Sequence, residues 1–145
     1  MKVAFWTAFG IYMRQFPPTH DPKTKWVNYH TGVKGIYFRL EAEPAMVRVS
    51  VTLEHSDPGI RALFYEQWEE LRTFLDRASS QSWTWVPKAS LQDGRAISRI
   101  YVEKGGVRVF ERSNWPEIFE FMSRALVPLD RVWADCHEVF QDLAD

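Results

Sequence analysis

A chain of 145 residues, 46% of them hydrophobic, is long enough to bury one core and too short to be expected to hold two. Its 18 basic and 19 acidic residues give a formal charge of −1, which excludes a global basic field that would draw the whole molecule to nucleic acid or anionic lipid; any such contact must come from a local patch. A single cysteine, Cys136, excludes an internal disulfide framework and fits a reducing cytoplasm.

Phe5, Ala8, Phe9, Tyr12 and Phe16 recur at helical spacing and predict a first helix that stops before Pro17 and Pro18. Trp6 and Met13 fall off that stripe, so the helix is apolar most of the way round, which implies burial on two sides or contact with a second copy. Lys2 followed by "VAFWTAFGIYM" has the outline of a secretory leader, but the run passes into Arg14, Gln15 and Phe16 without a small-residue cleavage site, and no leader is expected. No stretch reaches the roughly 18 apolar residues of a membrane-spanning helix. Residues 17–32 read as an irregular crossing that carries Trp26, Tyr29 and His30.

Ile36, Phe38, Leu40 and Ala42 share one parity, and Val47, Val49, Val51 and Leu53 share another after the break at Pro44; two adjacent antiparallel strands follow. In "HSDPGI", Ser56 or Asp57 caps a second helix with Pro58 in its first turn, and that helix runs to about Ala78. Its stripe of Ile60, Leu63, Phe64, Trp68, Leu71, Phe74 and Leu75 is expected to face the sheet. "SWTWV" is extended with Trp83 and Trp85 on one side, a packing arrangement rather than a ligand cage, and "PKASLQDGR" reads as a loop. "AISRIYVE" and "VRVFE" read as strands joined through "KGG".

In "SNWPE", Asn114 stands three residues before Glu117, a start resembling a capping box. The stripe from Ile118 to Leu143 then keeps helical phase across Pro128, so the last helix is long and either kinked or split there. The whole chain, residues 1–145, reads as a single α+β domain of order α-β-β-α-β-β-α. Its sheet is mainly antiparallel, with four to five strands and helices packed on it.

The other parity of the strands holds Tyr37, Arg39 and Glu41, then Arg48, Ser50, Thr52 and Glu54, then Arg99, Tyr101 and Glu103, then Arg108 and Phe110. Arg39, Arg48, Arg99 and Arg108 with Tyr37 and Tyr101 form a candidate binding face, edged by Lys34, Trp26 and Tyr29, able to grip phosphates and stack bases. The same pattern also fits Arg and Glu alternating in cross-strand pairs on a solvated surface, or a face covered by the first helix.

No residue here announces catalysis. His20, His30, His55 and His137 lack a His or Cys partner at metal-ligand spacing, so neither a metal nor a cofactor is expected. Cys136 and His137 diverge by about 100° on a helix and cannot act as nucleophile and base. The chain contains no GxGxxG, GxxxxGK[ST] or GxSxG. A restriction-type nuclease strand needs an acid, one residue, then a lysine; Glu103 and Lys104 are adjacent and so point to opposite faces, while Asp21 and Lys23 lie in a Pro-broken loop.

"FWTAF", Trp26 and Tyr29 before a glycine-led strand, "LFYEQWEELRTFL", "WTW", "SRIYVE" and "NWPEIFEFM" together resemble a bacterial and archaeal family of unknown function. Its members often form the C-terminal part of proteins whose first part resembles a restriction endonuclease. The resemblance implies a nucleic-acid context and supplies no catalytic residues. Two readings stand side by side: a non-catalytic binding module for nucleic acid on the arginine face, or a protein-interaction module that dimerises through the first helix.

Overall fold

Alternating apolar residues on either side of Pro44 fold into an antiparallel hairpin in the computed structural model, which describes residues 2–144. The first helix, α1, spans Lys2–Met13, and an irregular crossing leads from it to β1 (Ile36–Glu43) and β2 (Met46–Leu53). α2 (Pro58–Glu70), α3 (Arg72–Ser79), β3 (Thr84–Ser90) and β4 (Ala96–Gly105) follow, and a 3-10 turn at Arg112–Asn114 opens α4 (Trp115–Ala144). The result is an α+β fold with one antiparallel four-stranded sheet ordered β1-β2-β4-β3.

Asp57 starts α2 as its residue type dictates: Oδ1 accepts from the amides of Gly59 at 2.7 Å and Ile60 at 3.2 Å, with Pro58 in the first turn. Past Glu70 the expected single helix is two. Leu71 leaves helical geometry at φ −91°, ψ 1°, and α3 starts at Arg72. Leu63 and Phe74 lie exposed instead of facing the sheet.

The second hairpin also differs from the expected one. β3 extends through "PKAS", pairs with β4 around a register shift between Val86 and Ala89, and turns at Leu91–Arg95, where Gly94 takes φ +87°. "VRVFE" is not a strand, because both sides of β4 are already occupied by β2 and β3. Val107 and Val109 plug into the core from an irregular segment, and Trp115 Nε1 donates to the Val109 carbonyl at 2.6 Å.

α4 runs unbroken through Pro128, so the split alternative does not occur. Asn114 does not cap it; its Oδ1 accepts the Arg108 amide at 2.8 Å. The core lies between the apolar sheet face and these helices, centred on Trp68 and Trp133, whose rings stack 5.9 Å apart. Phe5 and Phe9 of α1 pack on Trp115 and Phe119 of α4. α1 is therefore buried on one side only, leaving Val3 and Ile11 exposed, and it sits on the helical layer, away from the outer sheet face.

Candidate binding face

Pairing register decides which polar side chains meet on the outer face. Tyr37, Thr52, Arg99 and Val86 form one cross-strand row; Arg39, Ser50, Tyr101 and Thr84 form the next; Glu41, Arg48 and Glu103 form the third. The structure thus brings together Arg39, Arg48, Arg99, Tyr37 and Tyr101. Lys34 is exposed in the turn that enters β1.

The other sequence candidates lie elsewhere. Arg108 and Phe110 are exposed in the irregular segment after β4. Trp26 and Tyr29 are buried, and both hold the crossing in place: Trp26 Nε1 donates to the Phe16 carbonyl at 2.9 Å, and the Tyr29 hydroxyl donates to Asp130 at 2.5 Å. Burial, and then the bond to Asp130, push the Tyr29 hydroxyl far above its ordinary pKa.

The arginines are largely committed to carboxylates. Glu54 extends the polar parity one step past β2 and its side chain is only 2% exposed. Arg39 grips it through two bonds, Nε to Oε2 at 2.6 Å and Nη2 to Oε1 at 2.9 Å, and Thr52 donates to Oε2 at 2.6 Å. Burial alone would raise the Glu54 pKa; hydrogen bonds from Arg39 and Thr52 and the nearby charges of Arg39 and Arg95 outweigh it and hold the carboxyl below its usual range. The same bond to Glu54 raises the Arg39 pKa.

Arg48 bridges Glu41 at 3.0 Å and Glu103 at 3.2 Å while its guanidinium lies 5.0 Å from the Tyr101 ring centre. Arg39 lies similarly over Tyr37 at 4.7 Å. Arg99 differs: among the described residues it makes no ion pair, and its Nε is buried without a partner, as are Ser50 Oγ and Arg48 Nε. The face is therefore a neutralised lattice of forks and rings containing one uncommitted guanidinium.

Sequence reasoning missed the contacts of four residues, of which only Arg95 belongs to this face. Arg95 reaches Glu54 at 3.6 Å from the β3–β4 turn, and nothing in "QDGR" marks it. Asp130 is buried on α4 and accepts the amides of Thr19 at 2.6 Å and His20 at 3.3 Å besides Tyr29; an acid inside an apolar stripe was its available signal. His20 and His137, far apart in sequence, bring their rings to 4.6 Å, and burial followed by the His137 charge lowers the His20 pKa. Among the described residues no group of three or more His, Cys, Asp or Glu could hold a metal ion. A separate open cleft of about 920 Å³, lined by Tyr12, Phe16, Gln81, Phe121, Arg124 and Pro128 among others, lies across α1, α3 and α4.

Residues 1–137 match the model of a family described as a domain of unknown function, DUF4268, and the chain belongs to that family. No curated protein and no solved structure matches it. No helix among the described residues is long and apolar enough to cross a membrane.

Proposed function

We propose that this member of the family is a non-catalytic binding module that works in the cytoplasm through the outer face of its sheet. One observation carries the reading: Arg39, Arg48, Arg99, Tyr37 and Tyr101 share a single sheet face, and the core residues of β1 and β2 lie on the opposite parity. Nucleic acid is the favoured partner. Arg99 is free to take a phosphate, the tyrosine rings offer stacking surface, and the resemblance to domains that follow a nuclease-like part supports that context.

The ion pairs limit how strong the electrostatic contribution can be. Arg39 and Arg48 would have to exchange carboxylate for phosphate, so log affinity is expected to fall against log salt with a shallow slope, about −1 to −2. Titrating labelled single- and double-stranded DNA and RNA at several salt concentrations tests this. Arg99→Ala is expected to reduce the slope by about 1. No binding even at low salt would overturn the nucleic-acid reading.

A second reading, oligomerisation through α1, is favoured by Val3 and Ile11, which are 80% and 54% exposed on its outer stripe. Ile11→Asp would then lower the mass in solution. Trp6 is a poor probe of that contact, since its ring packs on Phe5 and Phe9 within the chain.

A further inference from the structure

Sheets end in edges, and the two edges here are built differently. β3 is blunted by Pro87 and by the register shift beside it, both of which frustrate pairing with another strand. β1 runs for eight residues without proline or bulge.

Its outward direction is fixed by Ile36. The Ile36 amide donates to the Val33 carbonyl at 3.2 Å, and the Ile36 carbonyl accepts from Thr31 Oγ1 at 2.8 Å, so both groups point away from β2. A strand repeats every two residues, and the peptide groups of Phe38, Leu40 and Ala42 therefore point the same way. Among the described residues no hydrogen bond satisfies them on that side. Leu40 has core parity yet is only half-buried, because nothing flanks it at this edge.

We propose that β1 is a docking edge for a second copy of this chain, the two strands pairing antiparallel about a two-fold axis at Leu40 to join the two sheets into one. The sequence of the strand is complementary to itself in that register. Leu40 stands opposite Leu40, Phe38 opposite Ala42, and Arg39 opposite Glu41 of the second copy, the last pairing occurring twice. Moving the axis to Arg39 sets Arg39 against Arg39, and moving it to Glu41 sets Glu41 against Glu41 while Arg39 meets Glu43, so the axis at Leu40 is the one of the three without a like-charge pair. The outer faces of both copies become continuous across the seam. An edge contact is small, so the dimer forms in proportion to concentration and is not permanent. This inference stands independently of what the outer face binds.

The test combines mass and amide exchange over a concentration series of the whole chain. Wild-type mass is expected to climb from 17.1 kDa toward twice that value. Over the same series, exchange at the amides of Phe38, Leu40 and Ala42 should slow while the other amides of β1 are unaffected. Glu41→Lys and Arg39→Glu should each remain monomeric alone and pair when mixed, since each supplies the charge the other lacks. Arg39→Glu also breaks the bond to Glu54, and the exchange measurement on wild type decides the matter if that variant does not fold. A constant monomer mass, or a dimer whose β1 amides exchange at a rate independent of concentration, overturns the proposal; the second result would match a contact through α1.

Discussion

Glu54 is a nearly inaccessible carboxylate on the polar parity of the sheet, where Ser50 and Thr52 are buried as well, and its neighbours explain why it stays charged. Its pKa in the folded chain lies below that of the unfolded chain, so the stabilisation it provides is complete above the ordinary glutamate value of 4.5 and is lost as pH falls through the lowered one. Glu54→Gln is expected to cost about 1–3 kcal/mol at neutral pH. It should also flatten the acid limb of a stability profile measured by urea unfolding; an acid limb identical to wild type would show that the pair with Arg39 contributes nothing. Gly35 constrains the same corner through its backbone. It takes φ +88°, and a Cβ there would sit 2.7 Å from His55 Cβ and 2.9 Å from His55 Cα, so Gly35→Ala should cost about 1–3 kcal/mol by thermal unfolding.

At the scale of elements, α1 divides into a face that holds the fold and a face that does not. Phe9 is fully buried against α4, and Phe9→Ala is expected to lose about 3–5 kcal/mol, whereas Ile11→Asp should stay within about 1 kcal/mol of wild type. Chemical denaturation of the two variants checks the contrast. Strands β1 and β2 were legible because their alternation continues on both sides of a proline break, and residue types narrowed the cap of α2 to Ser56 or Asp57, of which Asp57 caps it. "VRVFE" was not, since alternation reports which side chains are buried and says nothing of whether a neighbouring strand is free to pair. "PKAS" misled in the opposite direction: proline and lysine weaken a strand, but an edge position with a bulge accommodates both. The outer face was legible as a parity. Its pairing into ion bridges was present among the readings, but its dependence on Arg95, which arrives from a turn, could not be seen along the strand.

For the molecule as a whole, Asp130 joins the N-terminal crossing to the last helix through contacts over a hundred residues apart in sequence. This clamp took Tyr29 into the interior, and Trp26 is buried beside it, so neither lies on the surface where their aromatic character had placed them. The same layering puts the core residues of β1 and β2 on one face and the arginines and tyrosines on the other, and the proposal that this second face is where a ligand binds is the central one. The direct measurement is a two-dimensional NMR titration of the labelled protein with single-stranded DNA at low salt. The predicted result is chemical-shift change concentrated at Tyr37, Arg39, Ser50, Arg99 and Tyr101. Changes confined to α1 or to the cleft near Phe121, or no change at any amide, would contradict it.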